Sequence, residues 1–117
     1  MEKPDQRLPQ HRPLMGIELD LFPTQGVQAV TAFALADATL TIAVAPWVNL
    51  SEEIRRSFHA VHLVSREVLD DDVPPIDEPA LPWVVIGMDA YEQGNDRWRF
   101  VLNCQEIEYI WDSEWPT

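Results

Sequence analysis

The sequence is poor in cysteine, glycine and basic residues, and each shortage excludes a class of site. Cys104 is the only cysteine, so the chain forms neither an intramolecular disulfide nor a zinc site built from cysteines. The four glycines are scattered and do not form a loop that binds phosphate groups. After Pro13 the only basic residues besides histidine are five arginines, which are too few for a nucleic-acid interface.

Acidic residues, by contrast, are abundant and unevenly distributed. The chain has 20 Asp and Glu against 8 Lys and Arg, a formal net charge of −12 on 117 residues. The segment up to Arg12 is slightly basic, so the whole negative excess follows it. Such a charge steers a protein toward basic partners and away from nucleic acid and anionic lipid. A hydrophobic content of 46% with five tryptophans excludes a disordered acidic tail.

The length predicts one folded domain behind a flexible leader. A chain of 117 residues is close to the commonest domain size and buries about two thirds of its unfolded surface. Residues 1–13 contain three prolines and no hydrophobic periodicity, so we expect a flexible leader, with the domain at 14–117. Because no stretch is apolar enough for a signal peptide or a membrane span, we expect a cytoplasmic protein.

Alternation of apolar and polar residues predicts a mainly β fold. With no βαβ rhythm, the expected architecture is an antiparallel sandwich or one strongly bent sheet. Alanines between 29 and 38 would also suit a helix, which leaves an α+β fold open. The last three predicted strands would form an antiparallel meander with an aromatic inner face. The predicted strands are 17–21, 27–35, 39–44, 59–69, 84–88, 98–104 and 107–111.

Two segments depart from this alternation. Asn49 and Glu52 have the spacing of a helix N-cap and its capping-box partner, and apolar residues from Leu50 to Phe58 have helical spacing. We therefore expect one short helix there. Residues 70–82 contain four prolines and five acids, which predicts a long, exposed, acidic and proline-rich loop.

No cluster of reactive side chains has the composition of a catalytic or metal site. His59 and His62 would lie on opposite faces of a strand, and no third ligand is evident. The acids at 70–78 could surround a hard cation, but calcium loops need a glycine where this one has prolines. Cys104 is in phase with Phe100 and is expected to be a buried thiol. We expect no enzyme, no cofactor and no bound metal.

The acidic loop and the last strand are the candidate binding surface. Tryptophan is enriched at protein interfaces, and acids around it would select a basic partner. The alternative is that the acids face solvent, while Trp111 lies in the core and Trp115 caps the end of the sheet. The candidate partner-binding residues are Asp70, Asp71, Asp72, Asp77, Glu78, Glu106, Glu108, Trp111, Asp112, Glu114 and Trp115.

The C-terminal segment RWRFVLNCQEIEYIWDSEWP resembles small bacterial immunity proteins of polymorphic and contact-dependent toxin systems. Several of those families end in a Trp-Arg strand, an acidic strand and a Trp-Pro tail, and the resemblance extends from Trp83 to Pro116. It implies a single acidic cytoplasmic domain that neutralises one cognate toxin by binding it, with no catalysis of its own.

Charge and resemblance together favour a stoichiometric binding protein, in particular an immunity protein or inhibitor that covers a basic surface on an enzyme such as a nuclease. Three other hypotheses stay open: a phage-encoded nucleic-acid mimic directed at a host or defence protein, a non-catalytic accessory or scaffold subunit, and a small metal-dependent enzyme. A basic protein is the expected partner, and neither nucleic acid nor a membrane is expected.

Overall fold

Antiparallel β-strands make up nearly all the regular structure in the computed structural model, which describes residues 10–12, 21–22 and 26–117. The predicted fold class, mainly β and antiparallel, is confirmed. In the described part of the chain the strands are β1 (Gln10–Arg12), β2 (Gln28–Ala36), β3 (Thr39–Pro46), β4 (Ile54–Phe58), β5 (His62–Val68), β6 (Trp83–Gly94), β7 (Arg97–Cys104) and β8 (Ile107–Ser113).

One bent sheet contains all of these strands. Their order is β4-β3-β2-β6-β7-β8-β5, and β1 pairs with β6. The long strand β6 pairs with β2 at its start and with β7 over most of its length. Phe33 of β2 stacks on Tyr109 of β8, with ring centroids 4.2 Å apart. Rings from the two halves of the sheet are therefore in contact, which requires a strong bend at β6.

The core between the two halves is built from large aromatic side chains. Trp83, Trp111, Phe58 and Phe100 are all fully buried. Phe58 lies edge-on to both Phe100 and Trp111, at centroid distances of 5.0 and 5.2 Å, a favoured geometry for aromatic pairs. The predicted inner-face cluster on β7 and β8 is confirmed as part of this core: Trp98, Phe100, Leu102, Ile107 and Tyr109.

Two tight turns close the hairpins. Asp37 and Ala38 have φ values of 51° and 62°, and Asn95 and Asp96 have values of 55° and 60°. Positive φ at both central residues is the type I′ geometry that matches the twist of antiparallel strands. Asn and Asp tolerate it, whereas alanine is strained there. The predicted turns at Asp37 and after β6 are confirmed.

The predicted helix after Asn49 is wrong. Asn49 does bind Glu52, with Nδ2 donating to Oε1 at 2.6 Å, but the bond stabilises a turn. The chain then enters β4, which pairs with β3 from Val44 opposite Ile54 to Leu40 opposite Phe58. Strand pairing buries Phe58 completely, and a helix would not provide that contact. Tertiary burial outweighs the local capping signal.

Bulges explain why the predicted faces of two strands differ from the observed ones. The β6–β7 register shifts between Val85 and Gly87, and Ile86 is 58% exposed although it is in phase with the buried Met88 in the alternating run 84–88. The β2–β3 register shifts after Val30, which is buried, whereas Val27 and Leu35 are exposed. One extra residue reverses the two-residue alternation, and that reversal is invisible in the pattern itself.

The N-terminal predictions are only partly covered by the described residues. Gln10–Arg12 pair with β6, with Gln10 opposite Glu92, so these three residues of the predicted leader belong to the sheet. The predicted strand at 17–21 lies outside the described residues except for Leu21, which is buried. Within the described ranges no helix is long and apolar enough to cross a membrane.

Candidate protein-binding surface

The structure brings the two predicted acidic segments together at one end of the sheet. The Leu69 N–H, just after β5, donates to the Glu106 carbonyl at 2.9 Å, and Glu67 lies directly opposite Glu108 in the β5–β8 pair. The loop therefore starts beside the first residues of β8. We name this surface the acidic end, and its carboxylates are Glu67, Asp70, Asp71, Asp72, Asp77, Glu78, Glu106 and Glu108.

Arg66 fastens the loop to β5. Its guanidinium donates hydrogen bonds to the Pro75 carbonyl at 2.6 Å, to the Asp77 carbonyl and to the Tyr109 hydroxyl at 3.3 Å. Several donors in one rigid fork suit arginine to this task. The prediction that residues 70–82 form a loop without regular elements is confirmed, but the loop is held in place by side chains.

Two further hydrogen bonds fix the second half of the loop. The Tyr109 hydroxyl donates to Glu78 Oε2 at 2.6 Å, and the buried Trp83 Nε1 donates to the Pro79 carbonyl at 3.0 Å. Burial and the Glu78 carboxylate together raise the pKa of Tyr109 to about 12, so the phenol stays protonated and keeps donating at neutral pH. The loop therefore presents its acids from a fixed backbone.

Glu67 and Glu108 form an unfavourable pair. They lie directly opposite each other across β5 and β8, and on its other side Glu108 faces Asn103 of β7. Like charges at opposed positions destabilise an antiparallel pair. The composition points to neither residue as special, because the pairing depends on which strand lies beside β8; Glu67 was not among the predicted residues.

Arginine compensates little of this charge. Residues 26–117 hold sixteen Asp and Glu side chains and five arginines. Within that range the ion pairs are Arg55 with Glu53 at 2.6 Å and Arg99 with Asp112 at 2.8 Å. Arg97 instead donates to the Ala60 carbonyl at 2.7 Å. The five arginines therefore leave an excess of eleven acids in this range.

Asp112 and Glu114, two of the predicted binding residues, lie at the other end of β8. Asp112 accepts two hydrogen bonds from Arg99, at 2.8 and 3.0 Å, which also raise the pKa of the guanidinium. Glu114 is exposed, and its N–H donates to the His59 carbonyl at 3.1 Å. Four residues along a strand span about 13 Å, so Asp112 is well separated from Glu108. The structure does not join these two acids to the acidic end.

The predicted tryptophans are core residues. Trp111 is fully buried, so its assignment to a partner-binding surface is wrong. Trp115 is half-buried and packs edge-on against Trp98, with centroids 4.7 Å apart. Both positions agree with the alternative stated above, because an alternating strand places its aromatic side chains on the inner face.

Glu106 is committed to the fold as well. Its Oε1 accepts the Val84 N–H at 3.0 Å, while the Gln105 N–H donates to the Val84 carbonyl at 2.9 Å. The carboxylate thus holds the first residues of β6 in place. Burial of the Cys104 thiol raises its pKa to about 12, and the nearby charge of Glu106 adds to this effect. The thiol is therefore unreactive at neutral pH.

Exposed apolar side chains surround the acids. Leu69 is 42% exposed and Ile76 is 88% exposed, and the residues on either side of Ile76 are bound to Arg66. Leu63 and Val64 on β5 are exposed to a similar extent as Leu69. Apolar groups among acids are typical of a protein interface, whereas a hard cation would need converging oxygens. Hydrophobic content alone did not indicate these residues.

A metal site finds no support in the described ranges. They contain no group of three or more His, Cys, Asp or Glu side chains placed to hold a metal ion. His59 lies before β5 and its Nε2 is 3.3 Å from Thr117 Oγ1, while His62 lies opposite Asp112. The two imidazoles therefore have different surroundings.

Comparison with models of known families, with curated proteins and with solved structures finds no match to this chain.

Proposed function

We propose that this chain is a stoichiometric binding protein that neutralises a basic partner, in particular a cytoplasmic immunity protein or inhibitor of a toxin enzyme such as a nuclease. The observation that carries the proposal is the acidic end: eight carboxylates from two chain segments around a loop that Arg66 and Tyr109 hold in place. In this proposal the chain has no catalytic role, and it binds neither nucleic acid nor a membrane.

The fixed loop is what favours binding over solubility alone. A surface that only has to remain soluble gains nothing from an ordered loop, whereas a binding surface loses less entropy on association when its backbone is already fixed. Clustered charge of one sign also accelerates association with an oppositely charged protein. An acidic end of this kind fits a basic surface near the active site of an enzyme that handles nucleic acid.

A nucleic-acid mimic fits the arrangement less well. Such a mimic would present carboxylates in an extended row that follows the spacing of phosphates. The outer face of β8 instead interrupts its acids with Ile110 and pairs Asp112 with Arg99. Eight acids of this chain lie together in the acidic end, and that cluster favours contact with a limited basic patch on one protein.

The experiment starts from affinity capture of the partner and identification by mass spectrometry, followed by purification of that protein. The proposal expects a basic protein, a one-to-one complex, loss of the partner's activity on mixing, and an association rate that falls steeply with added salt. An accessory subunit would leave the partner active. An association rate indifferent to salt would overturn the proposal.

Matched charge reversals locate the contact. Asp71→Lys with Asp72→Lys changes the acidic end, and Glu92→Lys with Glu114→Lys makes the same change in net charge on exposed sites elsewhere. We expect the first pair to weaken binding by at least about tenfold and the second by much less, with small effects on stability in both. Equal losses would mean that only the total charge matters.

A further inference from the structure

The outer edge of β5 has no backbone partner in the described part of the fold. β5 ends the strand order and pairs only with β8. At the other end of the sheet, β4 exchanges two backbone hydrogen bonds with the C-terminal residue: Ser57 N–H to the Thr117 carbonyl at 3.0 Å, and Thr117 N–H to the Ser57 carbonyl at 2.9 Å. An uncovered edge is a template for another strand.

Val64 lies at an irregularity in this edge strand. Leu63 pairs with Trp111 and Ser65 pairs with Ile110, so Val64 is the additional residue of a bulge and stands outside the β5–β8 register. Its side chain is 42% exposed and that of Leu63 is 40% exposed. The edge therefore offers both backbone groups and apolar surface.

Next to these apolar residues lies the opposed pair of Glu67 and Glu108. A Lys or Arg side chain on a strand beside β5 would lie next to Glu67, on the side away from Glu108, where it would offset the repulsion between the two carboxylates and donate a charge-assisted hydrogen bond to Glu67. The acids of the loop begin three residues after Glu67, at Asp70, and extend the negative surface in the same direction. The negative charge beside this edge therefore favours a positively charged segment at the edge.

We propose that the free edge of β5 receives an extended basic segment of the partner protein as an added strand, with a Lys or Arg side chain of that segment beside Glu67. The inference rests on the function proposed above and specifies the surface and the mode of contact. In strand addition the main-chain hydrogen bonds supply affinity and the side chains of alternate residues supply specificity.

A second copy of the chain is the occupant that charge disfavours. Each copy carries a formal net charge of −12, and pairing two β5 edges would bring two acidic ends close together. The charged side chain of Glu67 is one of the devices by which natural sheets prevent such self-association. A basic strand would instead be attracted by the negative charges of the acidic end.

The test uses a fluorescent peptide of about eight residues in which Lys and Val alternate, and a control peptide of the same sequence in which alternate backbone nitrogens are methylated. Both carry the same charge, but the methylated peptide cannot complete a strand ladder. We expect the parent peptide to bind at least about tenfold more tightly and to protect the amides of β5 from hydrogen exchange. Protection confined to another exposed apolar site, such as the loop at Trp47 and Val48, would contradict the inference.

Two variants of the protein test the same contact from its own side. Val64→Pro removes one backbone N–H from β5 at a bulge, a position where proline is tolerated, and should weaken the parent peptide about fivefold or more without affecting the methylated one. Glu67→Gln with Glu108→Gln should weaken the parent peptide and raise the midpoint of thermal unfolding, because the opposed charges are gone. Glu92→Gln with Glu114→Gln, at exposed acids outside the acidic end, is the control and should do neither.

The outcomes separate the two proposals. Equal, salt-sensitive binding of both peptides would overturn strand addition at β5 and leave the acidic binding protein standing. Failure of both peptides to bind would overturn strand addition, while the proposed function would still be judged by the salt dependence and inhibition measured with the captured partner. Pairing of two copies through β5, seen as dimers in sedimentation whose formation Val64→Pro abolishes, would also overturn the inference.

Discussion

The two strands at the ends of the sheet, β4 and β5, have the same topological position and very different surroundings. β4 buries Phe58 against Phe100 and Trp111, and Thr117 covers its outer edge. β5 leaves Leu63 and Val64 about two-fifths exposed, and its outer edge has no backbone partner in the described ranges. The end of the sheet that needs no partner is closed by the chain's own terminus, and the end that stays open is where the acids gather.

Charge follows the same division. β2 and β3 contain no charged residue, so the half of the sheet that carries β4 contributes mainly apolar and small side chains. The acidic end belongs to the other half, in which β5, β8 and the 70–82 loop meet. Charge is therefore concentrated on one half of the bent sheet, whereas both halves contribute side chains to the core between them.

The largest expected loss of stability comes from a substitution on β4. Phe58→Ala removes a fully buried ring between Phe100 and Trp111 and should lower the free energy of unfolding by about 3–5 kcal/mol, chiefly through the cavity. Leu63→Ala on β5 should cost less than about 1 kcal/mol, because the side chain is 40% exposed. Urea denaturation of the two variants measures both values. Similar losses would show that β5 is as much a core strand as β4.

Removal of Trp115, Pro116 and Thr117 should have the next largest effect, because it uncovers β4. The deletion removes the packing of Trp115 on Trp98 and the two backbone bonds to Ser57. We expect a loss of about 2–3 kcal/mol, of which deletion of Thr117 alone accounts for about 1 kcal/mol. Concentration-dependent association of the truncated chain, seen by light scattering, would indicate that an uncovered β4 is adhesive. A shortened chain as stable as the original would show that the tail contributes nothing.

How much of this comparison was predictable depends on whether a feature is local. Alternation identified the strands around Trp98, Phe100 and Tyr109, and Asp37 between two alanines marked a tight turn, because both signals involve neighbours in sequence. Long-range pairing was not predictable: β4 is a strand because β3 lies beside it, and Glu67 matters because Glu108 lies opposite. Asn49 and Glu52 are in contact as their spacing suggested, but the bond joins their side chains in a turn and no helix follows.

The candidate site divides in the same way. Its acids at 70–72 and at Glu108 were predictable, since unpaired charge is visible in composition. Trp111 was misassigned because abundance of tryptophan at interfaces does not say which face of a strand points outward. Arg66 was not indicated by any pattern, since its partners are backbone carbonyls of Pro75 and Asp77, nine and eleven residues further along the chain.

A smaller loss of stability should come from Tyr109→Phe, which tests how the loop beside β5 is held in place. The variant loses the hydroxyl that binds Glu78 and Arg66, and we expect a loss of about 1 kcal/mol and faster hydrogen exchange at residues 75–79. The pKa of Tyr109 is raised to about 12 from an ordinary value of 10.0, so the folded state holds the proton more tightly. Wild-type stability should therefore be fully present below pH 10 and fall as pH rises toward 12.

The free energy of unfolding of wild type and of Tyr109→Phe, measured as a function of pH, isolates the contribution of the Tyr109 hydroxyl, since the two proteins share all other titratable groups. The difference in free energy of unfolding between wild type and Tyr109→Phe should narrow or reverse between pH 10 and 12. Tyr91→Phe, on β6 and away from the loop, is the matched control for loss of one phenol. A pH-independent difference would mean that the Tyr109 hydroxyl does not hold the loop through its proton.

The smallest effect concerns the short connection between β4 and β5, which sets the two end strands in their opposite roles. Three hydrogen bonds hold this connection in place. The Ala60 carbonyl accepts from the Arg97 guanidinium at 2.7 Å, the Val61 N–H donates to the Ala38 carbonyl at 2.9 Å, and the His59 carbonyl accepts from the Glu114 N–H at 3.1 Å. Ala38 has a φ of 62°, which an alanine adopts only with strain. Ala38→Gly should relieve that strain and raise the free energy of unfolding by about 0.5–1 kcal/mol, measured by urea denaturation. Because the carbonyl that receives Val61 stays in place, exchange of the β5 amides should be unchanged apart from this global gain. Faster exchange confined to β5 would mean that the strained turn itself holds the open edge in position, and the comparison between a closed and an open edge would then depend on Ala38.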